Sequence, residues 1–156
     1  MRSVTQWLDE YGAGHRHPVN KTLHWICVPL IVLSVIGLIS CIPVPGFFGE
    51  VSPWLTWATL GAIGAVLFYF SLSVPLALGS IIAFVVLFAA LHALGQLPFP
   101  LWQSCAAIFV LAWIGQFIGH AIEGKQPSFF QDLVFLLIGP LWLLAFVFRR
   151  FGWRSA

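Results

Sequence analysis

Five histidines stand out in this 156-residue sequence as the side chains best able to do chemistry. Imidazole binds first-row metal ions, and its charge changes near neutral pH. Carboxylate and carboxamide groups lie close to several of these histidines in the chain, and such groups orient imidazole ligands by hydrogen bonding. This combination suits a metal site. The histidines are His15, His17, His24, His92 and His120.

The first three histidines lie close together near the N-terminus. Tyr11 and His15 are four residues apart, a spacing that places two side chains on one helix face. Asn20 and His24 have the same spacing, and Pro18 is expected to break the helix between the two pairs. Two plainer interpretations stay open. A histidine at a helix end is often an interfacial or capping residue, and Asn20 before an apolar run is a common helix start.

A second group of polar residues lies near the end of a long apolar segment. Gln116, His120 and Glu123 are spaced as i, i+4 and i+7, which puts them on one face of an otherwise apolar helix. Strongly polar side chains at membrane depth normally face the interior of a helix bundle and mark function. The carboxamide and the carboxylate are therefore candidates for supporting a metal ligand or positioning a substrate.

The elements that must position these groups are membrane helices. Hydrophobic residues make up 60% of the sequence and charged residues only 8%, against about 25% in ordinary soluble domains. Residues 51–122 and residues 22–49 contain no Asp, Glu, Lys or Arg. A soluble domain of this size could not bury so much apolar side chain. The net charge of +2 is scattered, which argues against a nucleic-acid partner. The composition predicts an integral membrane protein.

The apolar stretches predict how many helices cross the membrane. A bilayer core about 30 Å thick needs roughly 20 residues of helix, and four segments meet that length within tolerance. A fifth stretch is shorter and contains Gly139-Pro140, which predicts a broken, re-entrant or interfacial helix. The expected fold is a single all-α integral membrane domain, residues 1–156, with four transmembrane helices plus a short broken fifth helix. After a polar N-terminal segment, residues 1–23, the segments are residues 24–42, 54–70, 74–94, 101–118 and 133–148.

The basic residues predict the orientation of these segments. With four spans, all seven Lys and Arg residues fall on one side, which the positive-inside rule identifies as cytoplasmic. His92 then lies about 25–30 Å from the other four histidines, which share the cytoplasmic end. The expected location is the cytoplasmic membrane of a bacterium or the endoplasmic reticulum of a eukaryote, with the active-site end cytoplasmic.

Two signatures in the sequence resemble those of the membrane-bound 2-hydroxy fatty acid dioxygenases known from fungi. Residues 11–29 contain the pattern Y-x₃-H-x₂-P-x-N-x₃-H, and residues 116–127 contain G-H-x₂-E followed by a proline. The first pattern is quite specific, whereas the second is weak alone. Together they occur in the same order, with a similar number of apolar segments, and the resemblance covers nearly the whole chain.

The resemblance implies an activity and a set of metal ligands. Members of that family are iron(II)-dependent enzymes of fatty acid α-oxidation, and they shorten a 2-hydroxy fatty acid by one carbon. For this chain it implies a 2-hydroxy fatty acid and O₂ as substrates, within a lipid bilayer. It also implies Fe²⁺ as the cofactor, with His15, His24 and His120 as the ligands.

The remaining polar residues would then support the ligands or the substrate. Asn20, Gln116 and Glu123 would orient the ligands or position the substrate, and Arg16 or Lys125 would hold the substrate carboxylate. Oxidation of a 2-hydroxy acid to the shorter acid and CO₂ removes four electrons, which one O₂ accepts. No dinucleotide is needed for that balance, and the sequence contains no G-x-G-x-x-G motif.

Two other classes of function compete with this interpretation. A haem carrier would use His24 and His120 as axial ligands inside a helix bundle. A small transporter or scaffold would need no metal, but the duplicated halves common in transporters are not visible here. The membrane desaturases and hydroxylases need about eight histidines in their di-iron boxes, and this chain has five.

Overall fold

The computed structural model describes residues 3–126 and 134–153, and every regular element in these two ranges is an α-helix. The all-α prediction is therefore confirmed for this part of the chain. Four residues that entered the sequence predictions lie outside the two ranges: Arg2, Pro127, Leu133 and Arg154. The helices are α1 (Val4–Ala13), α2 (Pro18–Ser40), α3 (Gly46–Val51), α4 (Trp57–Leu72), α5 (Val74–Leu94), α6 (Leu101–Glu123) and α7 (Phe135–Arg150).

The polar N-terminal segment folds into α1 and a turn that leads directly into α2. The first helix ends at Ala13 and the second begins at Pro18, whose fixed φ and missing N–H suit the first helical position. The break predicted near Pro18 is thus confirmed. The cap of α2 is His17, whose Nδ1 accepts a hydrogen bond from the Val19 backbone N–H at 3.2 Å. The alternative that Asn20 caps this helix is wrong.

Three of the described helices are long and apolar enough to cross a bilayer: α2, α5 and α6, with 23, 21 and 23 residues. α4 has 16 residues, or about 24 Å at 1.5 Å per residue, less than the roughly 30 Å core. The prediction of four full-length spans is therefore wrong. The apolar run includes a turn at Pro53, and a capping box at Thr56 starts α4 only at Trp57.

The last apolar stretch forms one helix, α7, of 16 residues. It continues through Gly139-Pro140, so the predicted break at this point is wrong. Ile138 and Leu141, on either side of the dipeptide, are completely buried. Their packing holds the helix together although the proline provides no backbone N–H.

α2 and α6 form the central antiparallel pair of the bundle. Glycines let their backbones approach closely, because a Cβ on Gly119 would lie 2.5 Å from Asn20 Oδ1 and one on Gly37 would overlap Cys105 Sγ. These contacts define two ends of the molecule. The histidine end contains Gly119 and Asn20, and the far end contains Gly37, Cys105 and the neighbouring Leu91.

α4 runs between the same two ends, although it is short. At the far end the indole N–H of Trp57, the first residue of α4, donates to the Pro43 carbonyl at 3.1 Å. Near the other end of α4, the Tyr69 hydroxyl donates to the Leu137 carbonyl of α7 at 2.8 Å. Because α2, α4, α5 and α6 alternate in direction, the chain enters α2 and leaves α6 at the histidine end.

α1 and α7 pack beside each other and cover the histidine end. Trp7 of α1 meets Phe135 of α7 edge to face, with ring centroids 5.4 Å apart. Further along α7, the ring of Phe148 packs against Gly79, near the start of α5. The polar N-terminal segment and the last helix therefore enclose the region that holds the clustered histidines.

Candidate metal centre

Three buried histidines meet at the histidine end, each from a different part of the chain. His15 lies in the turn between α1 and α2, His24 lies in α2, and His120 lies in the last turn of α6. Their side chains are only 1%, 2% and 3% exposed. The ring centroids of His15 and His24 are 4.1 Å apart, and that of His120 is 5.1 Å from each of them. One ring nitrogen from each lies within 4.8 Å of those from the other two.

Backbone carbonyls fix the tautomers of two of these rings. His15 Nδ1 lies 2.6 Å from the Tyr11 carbonyl oxygen, and His24 Nδ1 lies 3.0 Å from the Asn20 carbonyl oxygen. Because a carbonyl oxygen can only accept, both Nδ1 atoms carry the proton and both Nε2 atoms keep a lone pair. This is the arrangement by which metal-binding histidines are usually oriented.

The environment keeps His15 neutral. Burial lowers the pKa of His15, and this effect outweighs the opposing influence of the Tyr11 carbonyl and the Glu123 carboxylate. Among the described residues, His15 Nε2 and His120 Nδ1 are buried and have no hydrogen-bond partner. Neutral imidazoles are the form that binds metal ions.

A first-row metal ion fits this group of rings. Unpaired buried polar atoms cost about 1–3 kcal/mol each, so a purely structural cluster would leave an unfavourable site. Nitrogens bound to one ion at about 2.1 Å lie about 3–3.5 Å apart, and small side-chain rotations would bring the three rings to that spacing. All-nitrogen donation by imidazole suits Fe, Zn, Cu or Ni rather than Mg or Ca.

Glu123 fastens the turn that carries His15 to the end of α6. Its Oε1 accepts the Arg16 backbone N–H at 2.9 Å, and its Oε2 accepts the His17 backbone N–H at 2.8 Å. The Asn20 carboxamide also donates to Oε2, at 3.2 Å. Both carboxylate oxygens are therefore engaged in holding the backbone in place. These contacts connect positions up to 107 residues apart in the chain.

Asn20 links two of the histidine-bearing helices. It is completely buried, its carbonyl accepts from His24, and its side chain donates to Glu123. Its side-chain oxygen packs against Gly119, the residue directly before His120. The carboxamide thus sets the distance between α2 and α6 at the level of the rings.

A small cavity of about 60 Å³ adjoins the rings. Its polar lining residues include His24, His120, Gln116 and Tyr11, and its apolar lining includes Leu136, which is 45% exposed on the surface of α7. The Gln116 Nε2 is buried without a hydrogen-bond partner among the described residues. Burial raises the pKa of the Tyr11 hydroxyl, so it stays protonated. The cavity therefore combines polar lining residues with apolar ones, and one of the apolar residues, Leu136, reaches the surface.

The structure brings the six predicted site residues together at one end. His92 is exposed on the last turn of α5, next to Leu91 at the far end, and His17 is an exposed helix cap. Arg16 is also exposed, and the Lys125 ammonium donates to the Ala13 carbonyl at 2.9 Å. Neither cation lines the cavity among the described residues. The six are His15, Asn20, His24, Gln116, His120 and Glu123.

Two aromatic side chains adjoin the cluster. Sequence reasoning placed Tyr11 beside His15 without naming it as a site residue, and it missed Trp142. Tyr11 stacks on His15, with centroids 4.3 Å apart and planes 17° apart, and Trp142 of α7 lies 5.7 Å from His15. The four-residue spacing of Tyr11 and His15 was the available signal for the first. No sequence signal identified Trp142, because nothing in the sequence distinguishes it from the other aromatic residues of the apolar segments.

The ring geometry disfavours the haem alternative. A haem bound by His24 and His120 would need its flat macrocycle between the two rings, whose centroids are 5.1 Å apart. His15 lies 4.1 Å from one ring and 5.1 Å from the other, so it occupies the side of that gap. Three imidazoles facing one point favour a single ion.

Comparison with known proteins agrees with the signatures. A family model described as "2-hydroxy-palmitic acid dioxygenase Mpo1-like" matches residues 1–151. No curated protein and no solved structure matches the chain. The family match includes all three histidines, the turn that holds His15 and the whole helical bundle. The chain belongs to the Mpo1-like family.

Proposed function

We propose that this member of the Mpo1-like family is an iron(II)-dependent dioxygenase of 2-hydroxy fatty acids. The reaction is R-CH(OH)-COO⁻ + O₂ → R-COO⁻ + CO₂ + H₂O, which shortens the acid by one carbon and balances in atoms and electrons. The observation that carries the proposal is the buried cluster of His15, His24 and His120, two of whose rings have Nε2 lone pairs freed by Nδ1–H bonds to the backbone. The family match supplies the substrate class.

The three histidines would hold Fe²⁺. A bound ferrous ion supplies the redox chemistry with O₂ and the open coordination positions that a 2-hydroxy carboxylate can occupy. The chain itself excludes water from the rings, since each is nearly inaccessible. Fixed tautomers keep the Nε2 atoms of His15 and His24 free to bind.

Three further residues have supporting roles in this proposal. Glu123 holds the turn that carries His15 against α6, and Asn20 fixes the separation of α2 and α6. Gln116 faces the cavity one turn before His120 and donates to the substrate head group. Because the cavity is small, it holds the head group, and the acyl chain leaves past Leu136 toward the apolar surface.

We further propose that the histidine end faces the cytoplasm. The three long apolar helices embed the chain in a lipid bilayer, and the alternating helix directions return Arg16, Lys21 and Lys125 to one end. The positive-inside rule assigns that end to the cytoplasm. Reporter fusions after residues 1 and 156 should both report a cytoplasmic location. A C-terminus on the opposite side would mean that α7 crosses the membrane.

The decisive experiment is a reconstitution of detergent-purified protein with Fe²⁺. With 2-hydroxypalmitate and O₂ as the only other additions, mass spectrometry should detect the C15 acid and CO₂. Palmitate should not react, because it lacks the hydroxyl and would need two further electrons to gain it. Chelation should abolish turnover, and Zn²⁺ should fail to restore it because zinc has no redox chemistry. Activity that requires NADPH, or that survives complete iron removal, would overturn the proposal.

A further inference from the structure

The chain contains two tyrosines, and their hydroxyl groups differ in their hydrogen bonding. Both side chains are buried: Tyr69 is 2% exposed and Tyr11 is 6% exposed. The Tyr69 hydroxyl donates to the Leu137 carbonyl at 2.8 Å, as a buried hydroxyl normally does. The Tyr11 hydroxyl makes no hydrogen bond to any of the described residues, although its backbone carbonyl accepts from His15. The Tyr11 hydroxyl is therefore available to a ligand in the cavity that Tyr11 lines.

Tyr11 lies beside the histidine cluster and lines the same cavity. Its ring stacks on His15 at 4.3 Å and meets His24 edge to face at 6.3 Å. The hydroxyl lies against Gly139 of α7, where a Cβ would be only 2.9 Å from the phenol oxygen. Gly139 also lines the cavity. The absence of a side chain at position 139 therefore leaves room around the hydroxyl.

The chemistry of the cavity indicates which ligand atom this hydroxyl meets. A carboxylate accepts hydrogen bonds only, and in an apolar cavity it needs donors or cations. The described cavity residues include no Lys or Arg, and apart from the histidines their side-chain donors are Tyr11, Gln116 and the indole of Trp113. A hydroxyl hydrogen bond to a charged acceptor is stronger than one to a neutral acceptor.

We propose that the Tyr11 hydroxyl donates a hydrogen bond to the carboxylate of the 2-hydroxy acid bound at the histidine cluster. This inference rests on the function proposed above and adds a substrate-binding residue to it. It also replaces Arg16 and Lys125 as the groups that recognise the carboxylate. Tyr11 selects acids over other 2-hydroxylated lipids of the same chain length.

The test compares Tyr11→Phe with the matched control Tyr69→Phe, each in full-length protein loaded with Zn²⁺ so that no turnover occurs. Bound metal per chain and affinity for two ligands are measured by equilibrium dialysis. The ligands are 2-hydroxypalmitate and 1,2-hexadecanediol, which lacks the carboxylate. Tyr11→Phe should keep its metal, bind 2-hydroxypalmitate about tenfold or more weakly, and bind the diol within about twofold of wild type. Tyr69→Phe should leave the affinity for both ligands unchanged.

Three results would overturn the inference. Wild-type affinity of Tyr11→Phe for 2-hydroxypalmitate would show that the hydroxyl does not contact it. An equal loss for the acid and the diol would exclude a role specific to the carboxylate, and a loss of metal would show that Tyr11 acts through His15. If the wild-type protein neither binds nor turns over 2-hydroxypalmitate, the proposed function itself fails. If the wild-type protein turns over 2-hydroxypalmitate and Tyr11→Phe binds it with unchanged affinity, the proposed function stands and only the role of Tyr11 is wrong.

A second measurement keeps the inference testable if Tyr11→Phe does not fold. Biosynthetic incorporation of 3-fluorotyrosine gives two ¹⁹F resonances, and the spectrum of Tyr69→Phe assigns them. Addition of 2-hydroxypalmitate to the zinc-loaded protein should shift the Tyr11 resonance and leave the Tyr69 resonance in place. An unmoved Tyr11 resonance at saturating ligand would contradict the inference.

Discussion

At both ends of the α2–α6 pair a glycine lets the two helices approach closely, but the groups that meet there differ. At the far end, Gly37 lets Cys105 and Leu91 approach, and all the groups in contact are apolar or weakly polar. At the histidine end, Gly119 lets Asn20 approach, and this contact adjoins three buried imidazoles. Close approach thus packs apolar side chains at one end and brings buried polar side chains together at the other.

The comparison shows how a small membrane bundle can bury polar groups at all. At the histidine end, several polar atoms are satisfied by backbone carbonyls or by Glu123. Gln116 Nε2 and His120 Nδ1 have no partner among the described residues, and both residues line the same small cavity. Unpaired atoms in a buried polar network are unfavourable, so these two atoms are candidates for binding a ligand.

The largest expected effect comes from removing a ligand at the histidine end. His15→Ala, His24→Ala and His120→Ala should each lose most bound iron and lower turnover by about a hundredfold or more, because outer-shell partners alone are worth about 10–100-fold. Metal analysis and the 2-hydroxypalmitate assay measure both effects. His92→Ala, at the far end, is the control and should keep its iron. If His92→Ala lost its iron and the other three variants kept theirs, the metal site would lie at the far end and the proposed site would be wrong.

A second prediction separates the two glycine contacts. Gly119→Ala should push Asn20 away, widen the gap between α2 and α6 at the rings, and weaken metal binding by about tenfold or more. Gly37→Ala should lower thermal stability, because its Cβ would overlap Cys105, but it should keep one metal ion per chain. Melting temperature and metal titration distinguish the two outcomes. Equal metal affinities in the two variants would contradict the claim that only the Gly119 contact supports the histidine cluster.

A third prediction concerns the carboxylate that holds the His15 turn. Glu123→Gln replaces one accepting oxygen with a donor, so at least one of the backbone contacts to Arg16 or His17 is lost. Iron affinity should fall by about 10–100-fold, as for other groups that orient ligands. The control is Glu50→Gln, on the exposed surface of α3, which should change nothing. Unchanged iron affinity in Glu123→Gln would show that the turn holds its position without this carboxylate.

The smallest expected effect is at the histidine that caps α2. His17→Ala removes the acceptor for the Val19 N–H, and loss of a helix cap costs about 0.5–2 kcal/mol. The melting temperature should fall by a few degrees at most, while metal content stays at the wild-type level. A drop in metal content comparable to that of His15→Ala would identify His17 as a ligand.

The sequence predicts which polar residues lie together better than it predicts the helices that carry them. Residues 15, 24 and 120 could be grouped because charge-free runs and basic residues predict which chain segments share an end. The start of α4 could not be read from an apolar run, since hydrophobicity does not distinguish a turn at Pro53 from the helix that follows. The continuity of α7 depends on burial of Ile138 and Leu141, which is a tertiary effect.

For Glu123, too, the sequence predicts the location of the residue but not its contacts in the fold. Its i+7 relation to Gln116 and its proximity to His120 are visible in the sequence, and they suggest a group that supports a metal ligand or positions a substrate. Two of its three hydrogen-bond donors are the backbone N–H groups of Arg16 and His17, which the side-chain pattern of a sequence does not reveal. Tyr11 could be placed beside His15 by spacing, but the lack of a partner for its hydroxyl could be known only from the surrounding residues.

The contact between Glu123 and Arg16 joins residues 107 positions apart. The parts of the site are therefore synthesised at very different times. The ribosome completes His15 and His24 long before it reaches His120 and the carboxylate that secures the first turn. A nascent chain therefore carries at most two of the three imidazoles until α6 is made and inserted against α2. A metal ion held by all three imidazoles could therefore bind only late in maturation, and truncated chains that lack α6 would not form the complete site.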